Sequence, residues 1–167
     1  MFTAKIPAMK ALSDFDADTL QEQFSSWGCK PSHAQKLLLD FYRTGGCVDL
    51  KKLALGRVLT ERIRRELPLR QTTILQRNVS ADGTIKLLLG FAGGGAAETV
   101  LMPAYTPQRA AGCVSSQIGC AMGCDFCAST RGGLERDLES GEIVEQFLHL
   151  PQQALESGRR LATLVFM

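Results

Sequence analysis

The residues of this chain best suited to chemistry are its cysteines. Four of the six fall within residues 113–127, in the run Cys113-Val-Ser-Ser-Gln-Ile-Gly-Cys120-Ala-Met-Gly-Cys124-Asp-Phe-Cys127. Evenly spread thiols would suit a disulfide scaffold, whereas thiols crowded into one loop suit metal or redox chemistry. The informative part is the C-x3-C-x2-C spacing of Cys120, Cys124 and Cys127. Three thiolates on so short a loop can ligate three irons of a cubane iron–sulfur cluster and leave the fourth iron open to a substrate-like ligand. Gly119 and Gly123 suit a loop that wraps closely around an inorganic core. The main competing reading is a structural zinc site with Cys113 as fourth ligand, since tetrahedral zinc commonly takes four cysteines. Zinc favours paired C-x2-C knuckles, and only Cys124 and Cys127 form one. Adventitious buried cysteines are the third reading.

The chain has 167 residues, 45% hydrophobic and 22% charged, within the range of globular proteins and enough for one sizeable core or two small ones. That balance argues against disorder. No apolar stretch approaches the roughly 20 residues that span a bilayer. The N-terminal MFTAKIPAMK lacks the apolar run of a secretory signal, so a cytoplasmic protein without membrane contact is expected. Net charge is only +2, but its placement is uneven. Lys51, Lys52, Arg57, Arg62, Arg64, Arg65 and Arg70 face only Glu61 and Glu66 between residues 51 and 70. A solvated helix face and a polyanion-binding patch both remain open for that stretch.

These residues must be positioned by the elements around them. Asp16 suits the N-cap of a helix over 17–27, with Leu20, Phe24 and Trp27 on one face and Gly28 as its stop. A second helix is expected over 32–43, carrying Leu37, Leu38, Phe41 and Tyr42 and ended by Gly45-Gly46. Asp49 caps a third helical stretch that Gly56 interrupts before Val58, Leu59, Ile63 and Leu67 carry it to Pro68. Residues 1–70 thus form a helical module. From Thr72 the pattern turns to strands: TTILQRNVS, the turn Asp82-Gly83, TIKLLLGF, and a third strand over 98–102. Residues 71–106 are an antiparallel meander and linker, with the glycine-rich GFAGGGAAE flexible. Residues 107–167 give a short strand into the cysteine loop, a helix over 140–149 that Pro151 kinks or restarts, and the apolar run LATLVFM. That is one βαβ unit, which requires a parallel sheet. Two parallel strands and one helix cannot cover themselves, so the unit reads as incomplete and the chain as truncated. The fold class expected is an α+β N-terminal module, helices plus a short antiparallel hairpin, followed by the start of an α/β partial (β/α) barrel. The cysteine loop ends the first barrel strand, where such enzymes place their chemistry.

The run CVSSQIGCAMGCDFCAST, followed by RGGLERDLESGEI, closely resembles the radical S-adenosylmethionine (SAM) family that methylates C2 of adenosine in 23S rRNA and tRNA, with its antibiotic-resistance relative acting at C8. DGTIK in the hairpin, ETV before a proline and the helical N-terminal module match as well, so the resemblance covers nearly the whole chain. It implies a radical-SAM partial barrel and a 4Fe–4S cluster on Cys120, Cys124 and Cys127. SAM would be cleaved at the open iron to a deoxyadenosyl radical. Carried over residue by residue, Phe126 would pack near the adenosyl group. Cys113 would pair transiently with the methyl-carrying cysteine to resolve the covalent enzyme–RNA intermediate, and Glu98 would accept a proton. From the residues alone, Cys113 also reads as a small buried strand residue and Glu98 as an exposed strand glutamate. The implied partners are 23S rRNA and/or tRNA, gripped in part by the helical module, and an electron donor such as flavodoxin or ferredoxin, the enzyme being a monomer.

Leu134 and Asp137 stand where the family usually has an aromatic residue and an asparagine. The family's Gly-Met-Gly-Glu-Pro run after LVFM, and its methylated cysteine near the far C-terminus, are not in this sequence. The expectation is therefore the N-terminal portion of a radical-SAM RNA methyltransferase, inactive in isolation. The alternative is a non-catalytic RNA-binding or regulatory fragment whose cysteine loop is vestigial or holds zinc. His33 and His149 are expected to be surface or satisfied histidines, Cys29 and Cys47 structural, and Met122 and Met167 ordinary apolar residues.

Overall fold

The computed structural model describes residues 9–167; most of the MFTAKIPAMK stretch lies outside the described residues. The chain divides into two compact units, one ending at Gln71 and the other comprising Thr72–Met167.

In the first unit, α1 (Ala17–Ser26) starts where the Asp16 carboxylate accepts a 2.8 Å hydrogen bond from the Thr19 amide. This satisfies one of the N–H groups that a first helical turn leaves without partners. Leu20 and Phe24 of α1, Ala34, Leu37, Leu38 and Phe41 of α2 (His33–Arg43), and Leu59 and Ile63 of α3 (Arg57–Glu66) are buried at helical spacing. The stretch after Asp49 is not helical. Asp49 Oδ1 accepts from the Lys51 amide at 3.1 Å in a local turn, and Ala54 and Gly56 have φ of 48° and 82°. Left-handed residues interrupt a right-handed helix, so α3 begins only at Arg57. Leu50, Leu53 and Leu55 are nonetheless buried.

The second unit is built on one five-stranded sheet in the order β1-β2-β3-β4-β7. Its strands are β1 (Thr72–Val79), β2 (Ile85–Phe91), β3 (Ala96–Pro103), β4 (Arg109–Val114) and β7 (Arg160–Phe166). The first four pair antiparallel, and β4 pairs with β7 in parallel across the helix α4 (Ser140–Glu156). The expected meander and βαβ unit are therefore one body: β3 pairs with β4, Leu101 opposite Gly112.

The glycine-rich stretch is a tight hairpin rather than a flexible linker. β2 runs through Phe91, β3 starts at Ala96, and the Phe91 amide donates to the Gly95 carbonyl at 3.2 Å. Gly94 and Gly95, with φ of 91° and 78°, permit the reversal. Nor does α4 stop at His149. It continues past Pro151, because Leu150, Gln153 and Ala154 are buried on the sheet and that burial offsets the hydrogen bond Pro151 cannot donate. Two strands not foreseen in the sequence, β5 (Gln117–Gly119) and β6 (Leu134–Asp137), pair antiparallel and carry the cysteine loop between them.

The core of this unit lies between sheet and helix, with Ile85, Leu87, Leu89, Leu101, Ala110 and Val114 packed among Leu150 and Ala154. No helix among the described residues is long and apolar enough to cross a membrane. Leu87 is completely buried. Leu87→Ala is expected to lower the unfolding free energy by about 2–5 kcal/mol, read as a lower denaturant midpoint at unchanged slope.

Candidate metal centre

The cysteine loop leaves the sheet at the carboxyl end of β4 and returns through β6. Its neck is pinched: the Cys120 amide donates to the Gly133 carbonyl at 3.1 Å. Gly119 has φ of 75°, and a Cβ there would meet the Gly133 carbonyl oxygen at 2.0 Å, so only glycine fits. The demand on Gly119 thus comes from the neck. At Gly123 a Cβ would have nothing within 4 Å of it, so that residue answers only to its φ of 69°.

Within the loop, the Cys127 amide donates to the Cys124 carbonyl at 3.1 Å. The Thr130 hydroxyl closes on the carbonyls of Cys124 and Cys127 at 3.0 and 2.9 Å. Cys120, Cys124 and Cys127 are free thiols, each half-buried. Among the described residues no group of three or more His, Cys, Asp or Glu is gathered to hold a single metal ion. A cubane asks something different, because each thiolate meets a different iron. Three free thiols on one turn-rich loop fit that donor set. Phe126, between two of them, is 92% exposed and Met122 is 79% exposed, so neither is the buried apolar residue its type would suggest.

Cys113 and Glu98 lie on neighbouring strands. The register sets Val100 opposite Cys113, and the Ser115 hydroxyl donates to the Glu98 carbonyl at 2.7 Å. Ala97, Thr99 and Leu101 of β3 are buried while Glu98 is exposed. On β4, Ala110 and Val114 belong to the core, and a Cβ on Gly112 would meet Leu150 Cδ1 at 2.5 Å. Alternation therefore turns Cys113 and Glu98 to the same face, away from α4. As diagonal neighbours they stand about 7–8 Å apart. Glu98 is paired with Lys86 at 2.8 Å, both side chains half-exposed. Cys113 is buried, and burial pushes its thiol above the ordinary value.

Side chains of α4 that the sequence did not single out reach the strands on either side of this loop. Gln146, fully buried, accepts from the Ser115 amide at 2.8 Å and the Thr99 hydroxyl at 2.9 Å, and donates to the Ser115 carbonyl at 2.9 Å. Glu142 takes both terminal nitrogens of Arg136 at 2.7 Å, and Arg136 also donates to the Gly94 carbonyl at 2.9 Å. Glu145 accepts from the amide and hydroxyl of Thr72, each at 2.7 Å. The His149 ring lies 3.0 Å from the Thr72 hydroxyl and is a structural histidine. A polar residue in mid-helix reads as surface in a sequence, and its signal exists only in the folded contacts.

In the first unit, the basic stretch is partly neutralised. Arg62 and Arg65 both bond Glu66 and hold its carboxyl below the usual range, Arg65 contributing most. Arg70 donates to the Gly45 carbonyl at 3.2 Å. Lys51, Arg57 and Arg64 are exposed.

Two measurements follow from this geometry. Gly119→Ala is expected to open the neck, read as roughly tenfold or faster amide exchange at Cys120 and over residues 134–137, while Gly123→Ala leaves that exchange near wild type. The folded chain holds the Cys113 proton to higher pH than the unfolded chain does. The stability this contributes is complete below the ordinary thiol range and is lost as pH rises from there through the raised value of the folded chain. Alkylation of Cys113, followed by mass spectrometry, is accordingly expected to lag behind that of exposed Cys47, with its pH profile displaced upward.

No family model matches the chain. It is 47% identical over 157 residues to the probable dual-specificity RNA methyltransferase RlmN 1 of Opitutus terrae, a match covering 94% of this chain and 44% of that protein. It is 35% identical over 158 residues to the dual-specificity RNA methyltransferase RlmN of Alkalilimnicola ehrlichii, covering 93% and 43%. The crystal structure of a radical SAM methyltransferase from Sphaerobacter thermophilus superposes with a TM-score of 0.81 at 36% identity, covering 93% of this chain and 45% of that one. The chain thus spans less than half the length of the curated relatives it matches. Sequence and fold together place this chain with the RNA methyltransferases named RlmN, over less than half of their length, and with the fold of a radical SAM methyltransferase.

Proposed function

We propose that this chain is the cluster-bearing N-terminal portion of a radical-SAM methyltransferase that acts on an adenosine of 23S rRNA and/or tRNA. The observation that carries the reading is the loop of Cys120, Cys124 and Cys127 at the carboxyl end of β4, the first strand of a parallel β4–α4–β7 unit. That is the end of a strand at which (β/α) folds place reacting groups. The similarity to proteins named as dual-specificity RNA methyltransferases supplies the substrate class.

Cys120, Cys124 and Cys127 would hold the 4Fe–4S cluster. Once bound with SAM, such a cluster supplies a carbon radical able to abstract hydrogen from an unactivated methyl group. The roles of the remaining residues follow from their places in the fold. Phe126 offers an exposed aromatic face beside the cluster ligands for the adenosyl group. Cys113, buried and held protonated at rest, is protected from adventitious oxidation. On giving up that proton its thiolate would attack the sulfur of the covalent enzyme–RNA intermediate, the new S–S bond forming as the S–C bond to the RNA breaks and the RNA carbon takes up a proton. Glu98 stands diagonally across from Cys113 and is exposed, so its carboxylate can take a proton on the face where that thiol sits. In the first unit, Lys51, Arg57 and Arg64 would meet RNA phosphates. A reducing partner such as flavodoxin or ferredoxin would deliver the electron, and the protein would work as a cytoplasmic monomer.

Anaerobic reconstitution with iron and sulfide tests this reading. About four irons per chain are expected, with the visible absorption of a cubane cluster, and both are lost on Cys124→Ala. Stoichiometric zinc that survives reconstitution, or no metal, would contradict it and favour an RNA-binding fragment, recognisable by salt-dependent RNA retention without SAM cleavage.

A further inference from the structure

We propose that Gln146 is a positioning residue that, together with Glu142 one helical turn before it, braces both ends of the cysteine loop from a single face of α4. The functional consequence rests on the cluster reading above; the brace itself is a property of the fold.

Gln146 bonds Ser115 as a neighbouring strand would. Its oxygen accepts from the Ser115 amide and its nitrogen donates to the Ser115 carbonyl, at 2.8 and 2.9 Å. Both backbone groups of one residue are thereby satisfied by one side chain, just where β4 has ended at Val114. The amide has a unique orientation, since a backbone N–H can only donate and a carbonyl only accept. The Thr99 hydroxyl, donating to the same oxygen at 2.9 Å, ties β3 into the contact.

On the far side of the loop, Arg136 of β6 is forked onto Glu142 and capped by the Gly94 carbonyl. Residues 142 and 146 are four apart and share a helix face. One rigid helix face therefore sets the departure of the loop at Ser115 and its return at Arg136. Core packing cannot do this for the loop residues themselves, because the three thiols are only half-buried. A site whose ligands are to be held within a fraction of an ångström needs supporting hydrogen bonds of this kind.

The test uses the whole 167-residue chain with Gln146→Met, which keeps the volume and removes all three hydrogen bonds. By hydrogen–deuterium exchange on the metal-free chain, residues 115–119 and 134–138 are expected to exchange roughly tenfold or more faster, while α1 and α2 keep their wild-type rates. After reconstitution, the variant is expected to lose iron to a chelator several-fold faster and to show a broadened cluster resonance signal. Thr99→Val, which leaves the grip on Ser115 in place, should fall between wild type and Gln146→Met.

Wild-type exchange in both loop ends together with wild-type iron retention would overturn the proposal. If Gln146→Met fails to fold, Glu142→Gln, on a partly exposed pair, decides: faster exchange confined to 134–138 supports the brace and unchanged exchange refutes it. A wild-type chain that takes up no iron sinks the cluster reading by itself, and exchange on the metal-free chain still decides the brace.

Discussion

At Ser115 the chain leaves a sheet and enters a loop, and both backbone polar groups of that residue must find partners away from any strand. The side chain of Gln146 supplies them, and much of the second unit depends on its doing so. Without it, the Ser115 amide and carbonyl and the buried Thr99 hydroxyl would stand unsatisfied, at about 1–3 kcal/mol for each such group. The adjoining Ser116 is held from the other direction, its hydroxyl donating to the Met167 carbonyl at 2.9 Å, while the Leu138 amide donates to the Ser116 carbonyl at 2.9 Å. The root of the cysteine loop is thus tied to α4 and to the residues that follow β7 and β6.

From that root outward, support passes from side chains to backbone. The β5–β6 ribbon is three to four residues long, too short to be stable alone. It persists because Ile118 is buried against the core and Arg136 is locked to Glu142. Beyond it, the Gly119–Gly133 contact sets how closely the two ends approach, and turns around Thr130 shape the cysteine segment. The arrangement leaves thiols half-exposed on a loop with a fixed base. That suits ligands that must accept an inorganic core yet keep one side open to a second ligand.

Much of this fold is legible in the sequence. Asp16 as a cap, Asp82-Gly83 as a hairpin turn and the parallel return of LATLVFM are local or pattern signals, and each appears where the sequence puts it. The cysteine motif is equally local, since its three thiols lie within eight residues of one another. What was hidden is what depends on contact. The helix expected after Asp49 gave way to left-handed residues at Ala54 and Gly56. The short segments QIG and LERD carry too few residues to show alternation. The GFAGGGAAE stretch looked like a linker because glycine marks flexibility and tight hairpins alike. Pro151 suggested a break, yet burial of Leu150 and Ala154 on the sheet keeps the helix whole. Gln146, Glu142 and Arg136 are ordinary polar residues until the fold brings them to the loop, and the nearness of Cys113 to Glu98 exists only through strand register.

The most direct measurement of the central claim is Mössbauer spectroscopy of the iron-reconstituted chain, recorded with and without SAM. Three cysteine ligands on a four-iron cluster make one iron different from the rest. The spectrum should therefore resolve a minority site, about a quarter of the iron, that shifts when SAM is added while the remainder stays put. Iron present as mononuclear or two-iron species, or four equivalent sites indifferent to SAM, would contradict the assignment of Cys120, Cys124 and Cys127 as the ligands of an open cubane cluster.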